Sequence, residues 1–237
     1  MRLELLTLVN RERAARRAVV LVSDLQSHEQ RVVLETDVSE DDMAEQIALQ
    51  LRLKQSGLIE FKEKCYFLTV MMPPPRLVMI GAVHISQALA VIATLAGFDT
   101  IIVDPRTAFA TAERFPGIRL MAEWPDTALA KIGLDAYTAV GCLTHDAKID
   151  DVALALALRA QCAYIGALGS SNTHTKRLER LAESGFDMET LRKIHAPIGL
   201  DIGAASPAEI AVSILAEIIL TSRRKPLRSE KFAPDGK

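Results

Sequence analysis

The sequence predicts an α/β protein, a Rossmann-like doubly wound parallel sheet preceded by a small α+β domain. Three observations predict it. Arg76-Leu-Val-Met-Ile-Gly81-Ala-Val83-His84-Ile-Ser86 reads as an apolar strand, a sharp turn and the start of an apolar helix. Strand and helix patterns alternate from there onward. Pro73-Pro74-Pro75 interrupts regular backbone hydrogen bonding just before this run. The prolines set a boundary, with residues 1–72 as the small domain and 73–237 as the Rossmann-like domain.

In the first part, residues 1–16 place apolar and charged positions at helical spacing. Ala18–Val22 and Gln30–Leu34 are β-branched runs joined by a turn at Ser27-His28-Glu29. Ser39 is placed to cap a helix whose first turn holds Asp41 and Asp42, and which runs to about Gln55 before Gly57. Cys65–Val70 is a third strand.

After the prolines, Leu77–Ile80 is a strand and His84–Ala96 a helix closed by Gly97. Thr100–Val103, Ile118–Met121, Ala136–Val140 and Ala163–Ile165 are further strands. Helices are expected over Asp151–Ala160, Asn172–Ser184 and Pro207–Ser222, the last capped by Ser206 with proline at its first position. The tail after Arg223 is polar and charged and reads as frayed.

Composition narrows the function. A formal net charge of −2 gives no basic excess for nucleic acid or an anionic membrane. At 5% aromatic residues, stacking platforms for single strands are not expected. Cys65, Cys142 and Cys162 form no C-x-x-C pair and no metal-ligand spacing, so no metal site is expected and a reducing compartment fits. No run is long and apolar enough to span a membrane. The N-terminus has Glu4 and Asn10 where a signal peptide needs an apolar core, so the expected location is the cytoplasm.

The candidate ligand-binding residues lie where strands end, because ligands of such sheets sit at carboxyl ends. In the first turn, Gly81 is present, but Val83 and Ser86 stand where a dinucleotide site has its second and third glycines. Val83 is expected to crowd a pyrophosphate and to resist a positive φ, which argues against a standard NAD pose. The helix start still offers N–H groups to an anion, and His84 adds an imidazole that either faces a ligand or simply faces water. Asp104 ends the second strand at about the distance expected of a ribose-binding acid. It also suits a turn before Pro105, with Arg106 nearby either reaching a phosphate or, the preferred reading, pointing to solvent.

Thr144, His145, Asp146 and Asp150 follow the fourth strand, where Thr144 or Asp146 could equally cap the next helix. Gly166-Ala-Leu-Gly169-Ser170 follows the fifth and forms a second candidate anion cradle. Asp201 lies between Gly199 and Gly203 before the last helix, where Glu209 suits a capping role.

Taken together, these runs resemble the XdhC/CoxI family, the accessory proteins of molybdenum hydroxylases such as xanthine dehydrogenase. The residues that carry the resemblance are Pro73-Pro-Pro-Arg-Leu77, Ile80-Gly-Ala-Val-His84, Val103-Asp104, Arg114-Phe-Pro116, and Thr144-His145 with Asp150. The most specific are Tyr164-Ile-Gly-Ala-Leu-Gly-Ser170, Ala196-Pro-Ile-Gly-Leu-Asp-Ile-Gly203 and Ser206-Pro-Ala-Glu209 through Glu217.

The resemblance implies a non-catalytic protein that binds the molybdenum cofactor, protects it while a terminal oxo group is exchanged for sulfur, and passes it to an apoenzyme. It implies a molybdenum hydroxylase apoenzyme and a cysteine desulfurase as partners, and a homodimer. Its implied cofactor-binding set is Gly81, Val83, His84, Asp104, Thr144, His145, Gly166, Gly169, Ser170 and Asp201. The family turn usually reads Gly-Ala-Gly-His, and here Val83 replaces the second glycine. Ser171-Asn172-Thr173-His174 intervene before Lys176-Arg177, where the family usually has basic residues at once. Residues 1–72 lack the family's Ser-Gly-Gly-Cys segment, so the chain reads as a relative with a shortened N-terminal domain. The residues alone leave two alternatives: an NAD(P)-dependent oxidoreductase, and an interaction scaffold without a ligand.

Overall fold

A computed structural model describes residues 3–222 of the chain. The polar tail after Arg223 and the first two residues lie outside the described residues. The described residues form two units, one ending at Pro74 and one spanning Pro75–Ser222.

The first unit holds α1 (Leu3–Ala14), β1 (Val19–Asp24), β2 (Gln30–Leu34), α2 (Ala44–Leu53), β3 (Gly57–Phe61) and β4 (Lys64–Met71). Its sheet is antiparallel in the order β2-β1-β4-β3. Val20, Val22, Val33 and Leu68 bury one face with Met43 and Ile47. Two local expectations are corrected. The helix expected from Ser39 starts only at Ala44, because Glu35–Glu40 winds into a 3-10 turn. Asp41 accepts from Met43 N–H at 2.9 Å and binds Arg31, and the left-handed Lys54, not Gly57, ends the helix. Gly57 instead opens β3, a strand absent from the sequence reading. Its hairpin turns on Lys62 and Glu63, both at positive φ, without the Asn or Gly that usually marks such a turn.

The second unit carries β5 (Arg76–Ile80), α3 (His84–Leu95), β6 (Asp99–Val103), β7 (Arg119–Met121), α4 (Pro125–Ile132), β8 (Thr138–Cys142), α5 (Ala147–Arg159), β9 (Tyr164–Ala167), α6 (Ser171–Glu183), α7 (Met188–Leu191), β10 (Ile194–His195) and α8 (Pro207–Ser222). The sheet is parallel, in the order β10-β9-β8-β5-β6-β7. Counted from β5 as first, this is the 3-2-1-4-5-6 order of a Rossmann sheet, and the order reverses between β5 and β8.

Alternation along the strands feeds two cores. Val78, Ile80, Ile101 and Val103 face α4 and α5, while Leu77, Met79 and Ile102 face α3 and α8. Each such apolar side chain contributes about 2–3 kcal/mol on burial. Covered on both faces, β5 is buried at every position, as a parallel strand between two helical layers must be. The strand expected at Ala136–Val140 runs two residues later, which brings Leu143 and Thr144 to the sheet's carboxyl edge.

Candidate functional site

The chain leaves β5 through Gly81, whose φ of +114° favours glycine. A side-chain carbon at Gly81 would lie 2.8 Å from Cγ2 of Thr144 and 3.3 Å from the Leu143 carbonyl carbon. The loops after β5 and β8 therefore touch across the switch point. Ala82 N–H donates to Asp104 Oδ2 at 2.7 Å, and Ala82 O accepts from Arg114 Nη1 at 2.9 Å. Ser86 is fully buried, and its hydroxyl donates back to Gly81 O. A serine thus fits the third-glycine position by closing the turn itself.

Val83 has φ −101° and ψ 175° and stands at the N-cap of α3. This corrects the expectation of backbone resistance, since an extended backbone needs no glycine. Its side chain packs against the core beneath α3 and α8. His84 is exposed at the first position of α3.

Asp104 is fully buried and accepts four protein hydrogen bonds. Ala82 N–H and Arg106 Nη2 reach Oδ2, while Arg106 N–H and Nε reach Oδ1, all within 2.9 Å. Burial pushes this carboxyl up, but the bonds from Arg106 and Ala82 outweigh it and hold the group below its ordinary range. Arg106 therefore does not point to solvent as expected. It grips Asp104 and lies 4.8 Å from the Phe109 ring centre. A ribose diol at Asp104 would have to displace this arginine.

After β8, Thr144 Oγ1 donates to Asp150 Oδ1 at 2.7 Å and accepts from Asp146 N–H at 3.0 Å. Asp146 caps α5 by accepting from Lys148 N–H at 2.9 Å. His145 is exposed with φ +63°, a strained backbone for a residue with a Cβ. Asp150 is 1% exposed, and its Oδ2 has no hydrogen-bond partner. Burial pushes its carboxyl above the ordinary range, against the Thr144 hydrogen bond and the charge of Arg177.

After β9, Leu168 N–H donates to Cys142 O at 2.8 Å and Gly169 turns at φ +135°. Ser170 caps α6, accepting from Thr173 N–H. A side-chain carbon at Gly169 would sit 3.2 Å from Thr173 and 3.7 Å from Arg177 Nη2, so the guanidinium lies beneath this turn. Arg177 is 2% exposed. Its Nη2 donates to Leu168 O at 2.8 Å, while Nε and Nη1 have no acceptor among the described residues. His174 Nδ1 is likewise buried without a partner, and burial and then Arg177 lower the pKa of that imidazole.

The structure draws two expected residues elsewhere. Gly166 lies inside β9, where a Cβ would collide with Ile198 and the Tyr164 hydroxyl at 2.6 Å, so it is a packing glycine. Asp201 is exposed and accepts a long bond from Gly203 N–H at 3.4 Å. Sequence reasoning also missed a polar knot on β9, β10 and α8. Glu217 accepts from Tyr164 Oη and from Gly199 N–H at 2.7 Å, and pairs with His195 Nδ1 at 3.0 Å. The Tyr164 and His195 rings stack at 4.7 Å. Burial and the Glu217 carboxylate push the Tyr164 phenol well up. The role of Arg177 was missed as well, although its signal was present. It stands in the inward stripe His174-Arg177-Leu178-Leu181, where a charge is out of place unless it has a partner to meet.

The edge formed by β5, β8 and β9 thus gathers Gly81, Thr144, Asp150, Gly169, Ser170 and Arg177, with the N-termini of α3 and α6. Helix N-termini and a buried guanidinium suit an anion, and Asp150 suits a donor group. Residues 77–218 match the family described as the XdhC Rossmann domain. The chain belongs to the XdhC family.

Among XdhC relatives, it is 37% identical over 153 residues to a protein of Bacillus subtilis (strain 168) named as a probable xanthine dehydrogenase subunit, covering 64% of this chain and 44% of that protein. It is 34% identical over 146 residues to the molybdenum cofactor insertion chaperone PaoD of Escherichia coli (strain K12), covering 62% of this chain and 40% of that one. A solved structure of a xanthine dehydrogenase from Bacillus halodurans superposes with a TM-score of 0.66 at 26% identity, covering 95% of this chain and 66% of that chain. The chain spans less than half the length of these two curated relatives. Among the described residues, no helix is long and apolar enough to cross a membrane.

Proposed function

We propose that this XdhC-family chain is a maturation factor that binds the molybdenum cofactor as cargo and delivers it to a molybdenum hydroxylase such as xanthine dehydrogenase. The observation that carries the reading is the convergence of three loops at the β5/β8 switch point, with two helix N-termini and a buried arginine. A phosphate-bearing pterin needs an anion cradle and polar groups at a sheet edge, and these residues supply both. The names of the Bacillus subtilis and Escherichia coli relatives support the same assignment. When bound, the cargo supplies the molybdenum centre that the acceptor enzyme uses.

This chain's own residues bind and shield. Gly81, Thr144, Gly169 and Ser170 shape the crevice, while Val83, His84 and His145 border it. Buried Cys142 and half-buried Cys162 are poor thiolate donors: desolvation pushes Cys142 well up and Cys162 to about 12. The reading takes a molybdenum hydroxylase apoenzyme as acceptor, a cysteine desulfurase as second partner, a homodimer as working form and the cytoplasm as location. An NAD(P)-dependent oxidoreductase is disfavoured, because Arg106 and Ala82 already fill the acceptor positions of Asp104.

Calorimetric titration with molybdenum cofactor, and separately with NAD(H), tests the reading. Saturable binding of the first alone supports it. Absence of molybdenum cofactor binding removes it.

A further inference from the structure

The residues beneath the β9–α6 turn define a more specific site. We propose that Arg177 and the first turn of α6 form a phosphate subsite covered by the segment 169–173.

Four observations converge on it. Arg177 is 2% exposed, yet two of its nitrogens have no acceptor among the described residues. An arginine cannot shed its proton to escape burial. Each idle buried donor costs about 1–3 kcal/mol, more when charged. Asp150 feels the charge of Arg177 but does not hydrogen-bond to it, since Asp150 Oδ2 is itself without a hydrogen-bond partner among the described residues. The guanidinium lies under Gly169, a residue at φ +135° immediately before α6. The 13 residues of α6 are enough for its N-terminal N–H groups and dipole to act on an anion.

A phosphate group supplies what these donors lack. One oxygen accepts from the guanidinium and another from the N–H groups at the start of α6. A planar guanidinium beside a helix N-terminus suits a tetrahedral oxyanion with several acceptor oxygens. Burial and then the charge of Arg177 lower the pKa of the His174 imidazole beside it. Access requires the covering segment to shift. Ser170–Thr173 are exposed, and the Ser170 side chain holds them through a long 3.4 Å bond from Thr173 N–H and a 3.1 Å contact with the Thr173 hydroxyl. Only the origin of the phosphate rests on the proposed cofactor-binding function. The subsite itself does not.

The test uses the full chain, with inorganic phosphate and pyrophosphate as probes in calorimetry and phosphorus NMR at constant ionic strength. Saturable binding at one site is expected. Arg177→Lys keeps a charge but loses the planar fork and is expected to weaken binding about tenfold. Ser171→Pro is the variant that spares the fold. Proline is tolerated at a first helical position, and Ser170 already has φ −71° and ψ 166°, a backbone that accepts a following proline. It removes one α6 donor and is expected to weaken phosphate severalfold at unchanged melting temperature. Absence of saturable phosphate binding, or Ser171→Pro and a folded Arg177→Lys both binding as the wild type does, overturns the subsite.

Molybdenum cofactor and adenosine monophosphate as further probes separate the two sources of phosphate. Phosphate binding without molybdenum cofactor binding upholds the subsite and removes the cofactor reading. Unchanged molybdenum cofactor affinity in an Arg177→Lys variant that has lost phosphate upholds the subsite and places the cofactor elsewhere.

Discussion

Gly81 abuts Thr144 across the point where the sheet reverses its strand order: a side-chain carbon at Gly81 would lie 2.8 Å from Cγ2 of the threonine. The contact joins the loops after β5 and β8. Gly81→Ala is expected to cost about 2–4 kcal/mol, from the collision and from φ +114° together. Adding Thr144→Ser removes the colliding methyl and keeps the hydroxyl on Asp150. It should return part of that loss in urea unfolding, and additive losses would contradict the contact.

Asp104 stabilises the first turn through Arg106 and Ala82. Its folded pKa is depressed, so its contribution is present above the unfolded value and is lost as pH falls through the folded one. Asp104→Asn is expected to cost about 3 kcal/mol at neutral pH. The gap from wild type should narrow below the ordinary carboxylate range. A gap that stays constant as pH falls below that range would contradict this assignment.

Asp150 works with the opposite sign. Its folded pKa is raised by burial, so the folded state holds the proton more tightly than the unfolded chain does. That contribution is present below the unfolded value and is lost as pH rises through the folded one. Asp150→Asn should therefore gain on the wild type in melting temperature as pH climbs from the ordinary carboxylate range. A difference independent of pH would show that Asp150 carries no such penalty.

Glu217 holds the Tyr164 hydroxyl and the Gly199 N–H together. Glu217→Ala leaves both short of an acceptor and is expected to cost about 3 kcal/mol. Tyr164→Phe removes one bond from a carboxylate that keeps its other partners, and should cost only about 1 kcal/mol. Thermal unfolding of the two variants checks the order.

Much of the Rossmann-like unit was legible because its signals are local. Leu77–Ile80, Thr100–Val103 and the capped helix at Pro207 follow from apolar runs, turns and a proline at the first helical position. Missing from the reading was α4, although Pro125, Asp126 and Gly133 mark its start and end. The two residues of β10 are too few for any period, and β3 hid behind a hairpin without Gly or Asn. At the site, Gly81 was legible as a turn and Gly169-Ser170 as a loop before a helix. The burial of Arg177 was signalled by its place in an apolar stripe and went unread, whereas the capture of Asp104 by Arg106 was not legible, because it depends on which way the fold turns the arginine. Val83 was read as an obstacle because a glycine pattern predicts a backbone, whereas its own φ of −101° asks for no glycine.

The central claim is that this edge of the sheet binds molybdenum cofactor. Anaerobic titration of purified chain with the isolated cofactor, followed by gel filtration, tests it most directly. The account predicts saturable binding, co-elution of molybdenum with the protein, and weaker binding after Gly169→Ala, whose added carbon would lie 3.2 Å from Thr173 at φ +135°. A titration without saturable binding, or equal binding by the Gly169→Ala variant, would contradict it.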